Sequence, residues 1–187
     1  GNPASISNML EYSNIQHVVD SNPNLIKKFK KIIIPGIGSF DNSIKYMNLT
    51  GIGDALKEAN SYDKIILGIC LGMQILFEKS EEGSSAGLAL LKGKVVKFKK
   101  YKNIKIPHIG WNNIILKTNS KLRIESKKFY FLHSYHLEKN NQYSIANTEY
   151  FNTFPSLINY KNIYGAQFHP EKSGKNGVEF FQKFDLL

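Results

Sequence analysis

A chain of 187 residues, 42% hydrophobic and 12% aromatic, is long enough to bury a sizeable core and fits one domain spanning residues 1–187. No apolar run approaches the roughly 18 residues that cross a bilayer, the start lacks the charged-then-apolar pattern of a secretory signal, and a single cysteine excludes an intrachain disulfide, which together read as a cytoplasmic protein without membrane contact. The net charge of +10 does not read as a nucleic-acid surface: 24 of the 25 basic residues are lysines and the other is Arg123, whereas base edges are read chiefly by the planar arginine fork.

Along the chain, Ile32 to Ile34 form a short β-branched run stopped by Pro35 and Gly36, the pattern of a buried strand entering a glycine loop. Residues 41–60 carry apolar positions at helical spacing, interrupted by Gly51 and Gly53, which predicts two short helices or one broken helix. "DKIILGIC" reads as a second buried strand and "LGMQILFEK" as a helix. The run 92–108 mixes lysines with strand formers, as a solvated sheet face does. Beyond it, "NNIILK", "KFYFLHSYHL", "YSIANTEY", "SLINY" and "IYGAQFHP" read as short strands, and helical pattern returns in "GKNGVEFFQKFDLL". Strand, glycine turn and helix recurring in the first half predict an α/β fold with a mixed, mainly parallel central sheet flanked by helices.

The one cysteine, Cys70, stands between Gly68 and Gly72 where the second strand meets a helix. G-x-C-x-G in that setting has the form of a nucleophile elbow, a sharp turn on which flanking glycines relieve crowding. A helix N-terminus favours thiolate over thiol, and the N–H of Leu71 would point toward a developing oxyanion. The alternative is a buried cysteine acting as a small hydrophobe, so the reading needs a base. Of five histidines, His17, His108, His133 and His136 read as structural residues. His169 differs, because it follows a strand-like run and precedes Pro170 and Glu171. Proline biases it toward extended chain, which places Glu171 on the same side to hold the imidazole.

"PGIGSF", "GICLGMQ" and "QFHPEKSG", in this order and over residues 31 to 184, resemble the class I, triad-type glutamine amidotransferases. "PHIGWN" and "FYFLHSY", with Lys172, Ser173 and Gly174, resemble more narrowly the glutaminase subunits of imidazole glycerol phosphate synthases. The resemblance implies a flavodoxin-like amidotransferase fold and a Cys70–His169–Glu171 triad that hydrolyses glutamine through a cysteinyl thioester, without cofactor or metal. It implies an oxyanion site at Leu71 and near Gly38, and a glutamine pocket involving Gly36, Gln74, Ser134 and Tyr135. It further implies a heterodimer with a (β/α)8 barrel that receives the ammonia, with Trp111, Asn112, Tyr130 and Lys172 on the docking face. Members of the family open with a strand ending in a D-Y-G-x-G-N-like turn; this sequence begins inside that turn, and Pro3 stands where an apolar residue is more usual. The expectation is that the first strand lies outside the sequence. Other readings stay open: an amidotransferase serving another acceptor, such as an amidino-sugar pathway, a catalytically idle homologue, or an unrelated cysteine hydrolase.

Overall fold

The structure, a computed structural model, describes residues 2–36, 38–99, 105–117, 121–139 and 141–187. Helix α1 (Pro3–Tyr12) starts where the Asn2 side chain accepts from the Ala4 N–H and Pro3 fills the first position, both favoured at helix starts. The short α2 (Pro23–Ile26) repeats the device with Asn22. Strand β1 (Lys31–Ile34) is followed by α3 (Phe40–Thr50) and α4 (Ile52–Ser61). Gly51 separates these two helices at φ +77°, the left-handed conformation that glycine adopts without penalty. Strand β2 (Ile65–Ile69) leads into α5 (Leu71–Gln74), β3 (Phe77–Ser80), β4 (Leu91–Lys97), β5 (His108–Asn113), β6 (Ile115–Leu116), β7 (Lys128–His133), β8 (Tyr135–Leu137), β9 (Ser144–Tyr150), β10 (Asn152–Tyr160) and β11 (Ile163–Ala166). A 3₁₀ turn (Pro170–Lys172) and α6 (Gly174–Asp185) follow.

The central sheet has the order β1-β2-β11-β10-β9-β6. It is mixed, as expected, but parallel pairing is confined to β1–β2 and β2–β11; the pairings among β11, β10, β9 and β6 are antiparallel. The expected parallel majority is corrected by chain geometry. The links β9–β10 and β10–β11 are too short for the crossover that a parallel pair requires. Smaller sheets β3-β4-β8 and β5-β7 complete the architecture.

Successive residues of β2 enter opposite cores. Leu67 and Ile69 join Ile6, Leu10, Phe129, Phe131, Phe180 and Phe181, while Ile66 joins Phe40, Ile44, Leu56, Phe77 and Val95. Helices α1 and α6 therefore cover one face, and α3 and α4 the other.

The run "LGMQILFEK" is not one helix. It makes the four residues of α5 and then β3. Ile75, Leu76 and Phe77 are all buried, which a helix with one apolar stripe cannot achieve, and Phe77 pairs with Leu91 of β4. In the lysine-rich stretch, β4 alternates buried and exposed positions only partly; residues 100–104 lie outside the described residues. Against β1 lies a cavity of about 490 Å³, lined by Leu10, Val18, Ile32, Ile33 and Phe181, away from Cys70. Among the described residues no helix is long and apolar enough to cross a membrane.

Candidate active site

Two adjacent parallel strands deliver the chemistry. Ile69 of β2 is in register with Ala166 of β11, and the Cys70 N–H donates to the Ala166 carbonyl at 2.7 Å. Chain leaving these two carboxyl ends carries Cys70 on one side and Gln167 to His169 on the other. Cys70 takes φ +55° and ψ −111°, a region that non-glycine residues rarely occupy and that surrounding structure must enforce.

The glycines show how it is enforced. A Cβ on Gly68 would overlap the Gly72 carbonyl, and one on Gly72 would overlap the Ile34 carbonyl at the end of β1. Gly36 serves the same turn, since a Cβ there would stand 2.6 Å from the Leu71 nitrogen. Close approach of backbone to backbone explains Gly36 without reference to a ligand. Gly38 is different: it has φ +73° and open space where a Cβ would be, so only its conformation selects glycine.

His169 is held from three directions. Its N–H donates to the Tyr130 carbonyl at 2.8 Å, its carbonyl accepts from the Ser173 hydroxyl at 2.7 Å, and its Nδ1 meets Glu171 Oε1 at 2.8 Å. Both side chains of that pair are buried. Burial opposes the charged imidazole, but contact with the Cys70 thiol and with Glu171 outweighs it and lifts the His169 pKa to about 9. Glu171 is pushed up by burial and pulled down further by His169, ending below the usual carboxylate value. His169 Nε2 has no hydrogen bond of strict geometry, yet Cys70, through hydrogen bonding and charge, is the neighbour that raises the His169 pKa most.

Besides His169, Cys70 Sγ meets the Leu132 carbonyl, to which the thiol donates, and Gln167 Nε2, which donates to the sulfur, each at 3.7 Å. Leu71 is the first residue of α5, so its N–H has no intrahelical acceptor. Gln74 is buried rather than solvated, and its Nε2 donates to the Tyr135 carbonyl at 2.9 Å and to Gln167 Oε1 at 3.0 Å. Tyr135 thus meets Gln74 through its backbone. Ser134 sits at the break between β7 and β8, where its carbonyl accepts from the Phe98 N–H.

Trp111, Tyr130 and Lys172 are brought together: Trp111 and Tyr130 are cross-strand partners with rings in T-shaped contact at 6.2 Å, and the Lys172 ammonium lies 5.9 Å from the Tyr130 ring. Trp111 is 50% exposed, which sets aside core packing as its role. Asn112 does not join them. It projects to the other face of β5, where its amide reaches His108 Nε2 at 3.3 Å and the Glu149 carbonyl at 2.9 Å.

Gln167 joins the site although it is not among the residues expected there. The signal was available, since residues two apart in extended chain project alike and Gln167 precedes His169 by two. His108, His133 and His136 are buried and hydrogen-bonded, and burial holds all three below the ordinary histidine pKa, His108 at about 4. Among the described residues no group of three or more His, Cys, Asp or Glu is arranged to hold a metal ion.

A family profile described as glutamine amidotransferase class-I matches residues 5–186. The chain belongs to the class-I glutamine amidotransferases. It is 42% identical over 189 residues to imidazole glycerol phosphate synthase subunit HisH 2 of Methanococcus maripaludis, covering 98% of this chain and 94% of that protein. It is 37% identical over 195 residues to subunit HisH of the same synthase in Bacillus subtilis, covering 100% and 92%. Among solved structures, one described as a glutamine amidotransferase superposes with a TM-score of 0.78 over 100% of this chain and 94% of that chain, at 15% identity. That likeness speaks for the fold; the family match makes the amidotransferase an enzyme of the class-I type.

Proposed function

We propose that this chain is the glutaminase subunit of an imidazole glycerol phosphate synthase, acting in the cytoplasm in histidine biosynthesis and feeding ammonia to a (β/α)8 barrel synthase. The observation that carries the catalytic part is the buried His169–Glu171 pair beside a cysteine on a strained elbow. The relatives named above, both synthase subunits, carry the choice of pathway.

Cys70 Sγ attacks the side-chain carbonyl carbon of glutamine. His169, kept protonated near neutral pH by Cys70 and Glu171, donates its proton to the departing nitrogen, so ammonia leaves and a glutamyl thioester remains. A water molecule then gives a proton back to His169, attacks the thioester, and releases glutamate and the Cys70 thiolate. The N–H of Leu71, with a backbone donor near Gly38, supports the oxyanion of each tetrahedral intermediate. Gln74 shapes the pocket through Tyr135, and Gly36 through the elbow it supports.

The docking face is the outer side of the two-stranded β5–β7 sheet. Ile109 pairs with Leu132 and Trp111 with Tyr130, and Ile109, Trp111 and Leu132 are exposed. An exposed aromatic and aliphatic patch rimmed by Lys172 has the composition of an interface. It lies beside Cys70, because the Leu132 carbonyl contacts the sulfur. Ammonia released there would enter the partner directly.

The test is rescue of a histidine auxotroph that lacks its own glutaminase subunit but keeps the synthase barrel. Growth with the wild-type chain and none with Cys70→Ala is the expected result. A chain that hydrolyses glutamine yet fails to rescue would assign the ammonia to another acceptor.

A further inference from the structure

We infer that Gln167 is a further catalytic group of this site: its side-chain N–H is aimed at the Cys70 sulfur and favours the thiolate, and a string of hydrogen bonds fixes which end of the amide faces the sulfur. The inference builds on the reading of Cys70 as the nucleophile.

The polarity follows from fixed acceptors. A backbone carbonyl can only accept, so the Gln74 atom 2.9 Å from the Tyr135 carbonyl is the NH₂ nitrogen. That nitrogen also lies 3.0 Å from Gln167, and its second proton needs an acceptor, which makes the facing Gln167 atom Oε1. The other end of the Gln167 amide, the donor, is then turned to Cys70 Sγ at 3.7 Å.

A second string reaches the same carbonyl and agrees. Asn112 Nδ2 donates to the Glu149 carbonyl at 2.9 Å, so it is a donor and His108 Nε2, 3.3 Å away, accepts. A neutral His108 accepting at Nε2 carries its proton on Nδ1 and donates to His133 Nε2 at 3.1 Å. His133 in turn carries its proton on Nδ1 and donates to the Tyr135 carbonyl at 2.8 Å. Both lone pairs of that carbonyl are filled, and every proton is placed from two backbone anchors. Burial that keeps His108 and His133 neutral is consistent with this order.

The groups facing the sulfur divide by sign. The Leu132 carbonyl accepts from the thiol and opposes ionisation. His169 and the Gln167 N–H favour it, while Glu171 reaches the sulfur only through His169. Gln167 is fully buried, so its bond to a charged sulfur is unscreened by water.

Because Cys70 is the only cysteine, alkylation by iodoacetamide reports on this sulfur alone, without glutamine or partner. Gln167→Met removes the donor at similar volume; Gln167→Glu keeps the shape and turns an oxygen toward the sulfur. At pH 7 Met is expected to slow alkylation about tenfold, as for loss of a hydrogen bond to a charged group, and Glu to slow it more. At pH 10, where an ordinary thiol is ionised, both variants should react within about twofold of wild type. Equal rates at pH 7, or equal slowing at both pH values, would overturn the inference, the latter because it reports access rather than charge. The Glu variant decides the matter if the Met variant does not fold. A wild-type rate that rises with pH only across the ordinary thiol range would instead remove Cys70 as an activated nucleophile. In the assembled enzyme Gln167→Met should lower kcat with little change in KM.

Discussion

Burial alone would strip His169 of its proton; two neighbours reverse the outcome. The balance makes the pair a source of stability with a defined pH window. His169 has its pKa raised from 6.5 to about 9, so its contribution is complete below pH 6.5 and is lost as pH rises through about 9. Glu171 has its pKa lowered from 4.5, so its contribution is complete above pH 4.5 and is lost as pH falls through its folded value. The pair therefore stabilises most between about pH 4.5 and 6.5. Glu171→Gln should widen its stability deficit relative to wild type within that window and narrow it toward pH 9, measured by denaturant melts across pH. A deficit independent of pH would mean that Glu171 serves packing alone. In turnover, Glu171→Gln should cost less than Cys70→Ala or His169→Ala, because orientation is easier to replace than bond making.

At the scale of elements, the elbow shows which glycines answer to space and which to conformation. Gly72 faces the Ile34 carbonyl with no room for a Cβ, whereas Gly38 has room but a positive φ. Gly72→Ala must separate β1 from the start of α5, and an overpacked core costs about 1–3 kcal/mol or more; here the obstacle is backbone, which places the expected loss at the upper end. Gly38→Ala should cost only about 1–2 kcal/mol, the penalty of a left-handed alanine. Thermal unfolding of the two variants side by side tests the ranking, and equal losses would contradict it. Much of this element was legible in sequence: the glycine spacing gave the elbow, and Pro170 with Glu171 gave the histidine. The length of the helix was not, because "LGMQILFEK" becomes a strand only through pairing of Phe77 with Leu91, distant in sequence. The antiparallel half of the sheet was hidden likewise, since strand-like runs do not state their direction. Gln167 escaped because a polar residue beside a motif looks solvated until its burial is known, and the His108–His133 pair because cross-strand register brings together residues 25 apart.

Considered whole, the molecule sets Cys70, the proposed nucleophile, next to the surface proposed to meet the synthase, and this bears on regulation. A glutaminase that worked unpartnered would waste glutamine and release ammonia into water. Two structural facts allow restraint. Gly36 packs against the elbow, and Gly38 already has φ +73°, so Gly38 can change conformation at small cost. The patch of Ile109, Trp111 and Leu132 is exposed and backs onto the sulfur through Leu132. A partner that binds the donor-inward form of the loop more tightly would shift the population toward it, and one oxyanion donor is worth about 10²- to 10³-fold in rate. Glutamate release should therefore be slow for the isolated chain and faster with the synthase, and faster again when the synthase holds its acceptor. Trp111→Ala should weaken association by about 2 kcal/mol, as for an aromatic anchor, and shift the activation curve to higher synthase concentration without lowering its plateau. Equal turnover with and without synthase would leave Gly38 a structural role only, and an unshifted curve for Trp111→Ala would move the docking face elsewhere.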